Sequence, residues 1–69
     1  MMEYYQGEIE DLYKDAHDIV IECQRASTPF LQRKLRIGYA KAATLLDMLE
    51  ERGIVGKSNG AKPREILVT

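Results

Sequence analysis

The stretch Thr28-Pro29-Phe30-Leu31-Gln32-Arg33-Lys34-Leu35-Arg36-Ile37-Gly38-Tyr39-Ala40-Lys41-Ala42-Ala43-Thr44-Leu45-Leu46-Asp47-Met48-Leu49-Glu50-Glu51-Arg52-Gly53 decides the fold. It opens with a hydroxyl at an N-cap and a proline at the first helical position, where the missing N–H costs nothing. Phe30, Leu31 and Leu35 give an apolar edge to a short helix over 29–35. Arg36-Ile37-Gly38 reads as a tight turn, with Gly38 supplying a positive φ. Tyr39, Ala42, Ala43, Leu45, Leu46 and Leu49 then recur at helical spacing, and Arg52 and Gly53 give a cation in the last turn and a C′ glycine. The spacing predicts a second helix over 39–52. Two helices joined by so short a turn form a helix-turn-helix, whose second helix enters a DNA major groove in many proteins.

Upstream, Ile9, Leu12, Tyr13, Ala16, Ile19, Val20 and Cys23 form another helical stripe, predicting a helix over 8–24. Its first turn carries Glu8, Glu10 and Asp11, where the helix dipole favours anions. Arg25-Ala26-Ser27 reads as a connection or a stub of strand. Downstream the period changes. Ile54-Val55 and Ile66-Leu67-Val68 flank a segment containing Asn59-Gly60, a hairpin signal, while Pro63 delays pairing until about Arg64. The expected fold is therefore α+β: a winged helix-turn-helix of three helices with a small antiparallel sheet and a β-hairpin wing. Residues 1–7 are expected to be a flexible N-terminal tail and 8–69 the winged-helix DNA-binding domain.

With 69 residues there is room for one domain, and its core is small. At 45% hydrophobic and 30% charged the chain is globular rather than disordered. No apolar run approaches the roughly 18 residues of a membrane span. The first residues lack a cationic and an apolar region, so they do not read as a signal peptide. One cysteine excludes an internal disulfide and fits a reducing compartment. No phosphate-cradling glycine motif is present. His17 has no second histidine or nucleophile beside it and reads as a surface residue. Cys23 reads as a buried small hydrophobe, and Glu50-Glu51 as a charge pair on an exposed helix end. These features predict no catalytic residue, no metal site and no cofactor, hence no enzyme.

The formal net charge of −1 argues at first against nucleic acid. It divides unevenly. Residues 1–24 hold seven carboxylates against Lys14, a balance of −6, and residues 25–69 hold nine basic groups against four acidic ones, a balance of +5. Such asymmetry suits one face for a polyanion and another that avoids it. Ala40, Lys41 and Thr44 lie outward on the second helix of the pair and are the candidates for reading bases. Lys41 suits guanine O6 or N7, Thr44 a base or a phosphate, and Ala40 a thymine methyl. Arg33, Lys34 and Arg36, with Lys57, Lys62 and Arg64 in the expected wing, are the candidates for phosphates or a minor groove. Tyr39 reads first as packing beneath the preceding helix, with a sugar or phosphate contact as its alternative. Each basic side chain alone reads as a solvated charge; their joint placement points to double-stranded DNA.

Gln24-Arg25-Ala26-Ser27, Leu31-Gln32-Arg33-Lys34-Leu35-Arg36-Ile37-Gly38-Tyr39, Ala42-Ala43, Leu46-Asp47, Gly53-Ile54-Val55 and Lys62-Pro63-Arg64-Glu65-Ile66-Leu67-Val68 keep the order and spacing of one known domain. Over about 10–68 the chain resembles the C-terminal gamma domain of the FtsK/SpoIIIE DNA translocases of bacteria. The resemblance implies a winged helix that reads short, skewed, G-rich sequences and so orients an ATP-driven motor on the chromosome. In FtsK members it also implies contact with the XerD recombinase. On this reading the chain is an excised domain or a stand-alone copy. ATP belongs to the motor of the parent, and the domain is cytoplasmic and makes no membrane contact of its own, while the parent is anchored in the inner membrane. The family usually follows Gly-Tyr with Asn or Thr, then Arg, Ala, Ala, Arg. Here Ala40, Lys41 and Thr44 replace the polar and arginine positions, which removes a base-bonding side chain, a bidentate fork and a cation. DNA binding thus carries over more securely than the exact sequence read. The acidic first helix favours a second reading, a protein-interaction module that contacts and activates a XerD-type recombinase.

Overall fold

The computed structural model describes residues 2–58 and 62–68, with side chains from residue 9 onward. Three helices are present: α1 (Met2–Cys23), α2 (Thr28–Leu35) and α3 (Tyr39–Glu51). Helix α1 extends back through residues 2–7, read from sequence as a tail; no proline interrupts that stretch, and a single Gly7 costs only about 1 kcal/mol in a helix.

The boundaries of α2 and α3 follow the local chemistry, with two shifts from expectation. The N-cap of α2 is Ser27, one residue before the expected Thr28, and its Oγ accepts the Phe30 amide at 3.2 Å. A cap of this kind contributes about 1 kcal/mol. The left-handed residue that ends α2 is Arg36 (φ 56°), not Gly38. Because the helix stops at Leu35, the C-cap position falls on an arginine, and its amide reaches back to the Gln32 carbonyl. Gly38, at φ −76°, instead forms the extended N-cap of α3. Gly53 does take the expected left-handed conformation (φ 77°) after α3, where a side chain would strain the backbone.

Each helix contributes to one core, with each pair of helices in contact. Tyr13, Ala16 and Val20 come from α1, Leu31 from α2, and Ala42, Leu45, Leu46 and Leu49 from α3; Ala26 and Val55 close the cluster. The Arg52 guanidinium lies 4.3 Å from the Tyr13 ring centroid and ties the end of α3 to α1. Cys23, expected inside, is exposed. It lies at the last residue of α1, where the chain leaves the helix through Gln24 (φ 52°).

The α+β expectation is corrected. Among the described residues there is no strand and no sheet, so neither the antiparallel sheet nor the β-hairpin wing is formed, and the fold is all-helical. The expected Asn59-Gly60 turn lies outside the described residues. The segment after Gly53, here called the C-terminal arm, is held by an isolated antiparallel bridge between Val55 and Ile66. The Gly56 amide donates to the Glu65 carbonyl and the Leu67 amide to the Ile54 carbonyl, both at 2.8 Å. The Arg64 amide turns elsewhere, to the Ala26 carbonyl at 2.7 Å. Pro63 lacks an N–H, and Gly56 packs no side chain, so the flanking residues do not extend the bridge into a ladder. No helix among the described residues is long and apolar enough to cross a membrane.

Candidate nucleic-acid interface

At 100° per residue, Ala40, Thr44, Asp47 and Glu51 share one face of α3, and all four are exposed. The opposite face carries buried Ala42, Leu45, Leu46 and Leu49. The outward stripe is uncharged in its first half and acidic in its second. Only the N-terminal half suits close approach to phosphates. Lys41 and Tyr39 flank this stripe on opposite sides, about 100° away from Ala40.

Each flank opens on a hollow. On one side, Lys41, Ala40, Arg36, Ile37 and Gly38 face Asp11 and Leu12 of α1 around a groove of about 630 Å³. Lys41 is half-buried there, and Arg36 is exposed. On the other side, a hollow of about 260 Å³ gathers Tyr39, Lys62 and Arg64 with Ser58, Leu46 and the start of α2 at Ser27, Thr28 and Pro29. Tyr39 is 67% exposed, which corrects the expectation that it packs beneath α2. Two of the expected base-reading positions and four of the expected backbone positions therefore line the two hollows. Arg33, Lys34, Thr44 and Lys57 are exposed but line neither. Lys34 and Arg25 lie 5.9 Å and 5.8 Å from the Phe30 ring centroid, so their stems cover that half-buried aromatic.

Arg64 differs from the other basic residues. Its side chain is only 12% exposed. One guanidinium nitrogen, Nη1, donates to Glu50 Oε1 at 3.1 Å and to the Leu46 carbonyl at 3.4 Å, and Nη2 lies 3.5 Å from Asp47 Oδ1. Glu50 is thus not a simple exposed charge beside Glu51; it is half-buried and engaged. Neither Asp47 nor Glu50 carries a sequence signal for this role, because their partner lies 14 or more residues away and outside any helical repeat. Ser58 and Thr28 were likewise invisible as members of the hollow. Among the described residues no group of three His, Cys, Asp or Glu is placed to hold a metal ion. His17 Nδ1 lies 3.3 Å from Asp18 and its ring 6.2 Å from that of Tyr13, so its neighbours are structural.

A family profile described as "Ftsk gamma domain" matches residues 7–69. The chain is 55% identical over 62 residues to the DNA translocase FtsK of Chlamydia pneumoniae, covering 90% of this chain and 8% of that protein. It is 56% identical over 59 residues to the DNA translocase FtsK of Halalkalibacterium halodurans, covering 86% of this chain and 8% of that protein. Against the DNA translocase FtsK of Listeria monocytogenes it is 52% identical over 64 residues, covering 91% and 8%. The chain thus spans about 8% of the length of these relatives. It belongs to the FtsK gamma domain family.

Proposed function

We propose that this domain is a sequence-directed double-stranded DNA-binding module that orients a DNA translocase by recognising short, skewed, G-rich sequences. The observation that carries this reading is the outward stripe of α3. Its uncharged N-terminal half, Ala40 and Thr44, is flanked by Lys41 and Arg36 on one side and by Tyr39 and Lys62 on the other. Insertion of that half into a major groove presents Ala40, Lys41 and Thr44 to base edges, the arrangement of helix-turn-helix readers. It leaves Arg33, Lys34, Arg36, Tyr39, Lys57 and Lys62 for the backbone on either side. The acidic residues Asp47 and Glu51 stay at the outer end of the groove. Membership in a family of DNA translocase domains supports the same reading.

The test is a duplex titration at several salt concentrations, followed by selection from randomised duplexes with the domain tethered as a multimer to raise avidity. The expected result is binding that weakens with salt by a slope of about −0.9 per phosphate engaged, and enrichment of a strand-asymmetric G-rich site. Absence of duplex binding at low salt by the tethered multimer overturns the reading.

Arg36 permits a sharper separation. It holds a left-handed conformation that costs a non-glycine residue about 1–2 kcal/mol. Arg36→Gly is therefore expected to stabilise the fold by up to about 1 kcal/mol after the entropic cost of glycine, while weakening duplex binding. Thermal melts and titrations of the same sample check both signs; stronger binding by the stabilised variant counts against a phosphate contact at this position.

The exposed acidic face of α1 favours a second reading, contact with a site-specific recombinase of the XerD type. Co-migration of the domain with such a recombinase in the absence of DNA is the discriminating result, and charge reversal at Asp15 and Asp18 is expected to abolish it.

A further inference from the structure

We propose that Arg64 is a positioning residue rather than a phosphate ligand: it latches the C-terminal arm to α3 and so sets where Lys62 stands beside Tyr39. The inference rests on the DNA-binding reading above, but its physical basis does not. A side chain that is 12% exposed and shared among Glu50, Asp47 and the Leu46 carbonyl has most of its donors committed inside the protein. A phosphate would have to displace two carboxylates to reach it. The same residue fixes the arm twice, because its amide donates to the Ala26 carbonyl at 2.7 Å. Thus one residue ties the arm to the C-terminal half of α3 and to the connection that precedes α2. Two residues earlier, Lys62 is exposed and lines the hollow with Tyr39 and Thr28. Among the described residues the arm forms no strand; besides Arg64 it is attached by the buried Val55, by Ile54 and Ile66 packed against the core, and by the Val55–Ile66 bridge with its two backbone bonds. The ion pairs are what register the arm against the helix that carries the base-reading candidates.

The latch makes a prediction opposite in sign to simple electrostatics. Removing a carboxylate near DNA ordinarily strengthens binding to a polyanion. Glu50→Gln is expected instead to weaken it, on the order of five- to tenfold, by releasing the arm. Arg64→Met is expected to weaken binding comparably in the native background, yet by less than about twofold when Lys57→Ala and Lys62→Ala are already present, because coupled residues do not add. A direct phosphate contact would give its full loss in both backgrounds. Amide hydrogen exchange on the 69-residue chain without DNA supplies the independent arm of the test. Protection of the Gly56 and Leu67 amides is expected to fall in Glu50→Gln and in Arg64→Met, while amides within α1 and α3 remain protected. Unchanged protection at Gly56 and Leu67 overturns the latch, whatever the domain binds. Stronger duplex binding by Glu50→Gln overturns it too, as does lost protection with unchanged affinity, since the arm would then have no part in binding. Absence of duplex binding by the unmodified chain defeats the DNA reading instead, and exchange still decides the latch.

Discussion

Leu45→Ala is expected to leave the domain largely unfolded at 25 °C. Leu45 has no exposed surface and sits on the inner face of α3, which packs against α1 and α2. Truncating a buried leucine removes its transfer energy and leaves a cavity, at a cost of about 2–5 kcal/mol. A single core in a domain of this size rarely supplies more than about 3–5 kcal/mol in total. The loss is therefore comparable to the whole stability. Far-UV circular dichroism during heating and in urea measures it directly. Retention of a cooperative transition within about 8 °C of the unmodified chain would mean that the surrounding side chains collapse into the space. Thr44→Ala is the matched control, one residue earlier and exposed, expected to change stability by less than about 0.5 kcal/mol.

The second large effect concerns binding. Lys41→Ala is expected to flatten preference among duplex sequences, with a loss of about 1–3 kcal/mol on the preferred site and little on others. Lys62→Ala is expected to lower affinity evenly across sequences and to reduce the salt slope by about 1. The asymmetry follows from position. Lys41 stands in the first turn of α3, next to Ala40, at the rim of the groove that α1 shares. Lys62 belongs to the arm and borders the other hollow. Parallel titrations on a preferred and a scrambled duplex distinguish the two. Equal, sequence-blind losses for both variants would remove Lys41 from base reading.

The helices were legible because their information is local. The 3.6-residue stripes of Leu12, Tyr13, Ala16 and Val20, and of Ala42, Leu45, Leu46 and Leu49, announce their own buried faces. Pro29 and Gly53 mark ends of their helices for similarly local reasons. The expected sheet failed where the signal was short. Two aliphatic runs on either side of Asn59-Gly60 favour pairing, but sheet formation depends on where each amide finds an acceptor. The Arg64 amide finds Ala26, so the two runs meet only around the Val55–Ile66 bridge. The turn between α2 and α3 was misread by two residues because a glycine advertises positive φ more loudly than an arginine does. Arg36 takes that conformation because the helix ends where it ends. Within the candidate site, outward positions such as Ala40 and Thr44 followed from periodicity. The engagement of Arg64 did not, since a contact between α3 and the arm has no periodic trace. Arg64 in a basic cluster and Glu50 beside Glu51 look like ordinary surface charges until the fold brings them to 3.1 Å.

On the proposed DNA-binding reading, those ion pairs have a consequence for how the specificity of this helix can be changed. Helix α3 spans Tyr39–Glu51, and its solvent side holds two kinds of position in succession. Ala40 and Thr44 carry no part of the core, so their side chains can be exchanged at little structural cost. Asp47 and Glu50, one and two turns further along, are committed to Arg64. On the proposed reading, a library that randomises positions 40 and 44 therefore explores new base preferences on an intact scaffold. A library that includes 47 and 50 mixes altered reading with a displaced arm, and its members will fail for two unrelated reasons. The helix is evolvable at one end and tethered at the other.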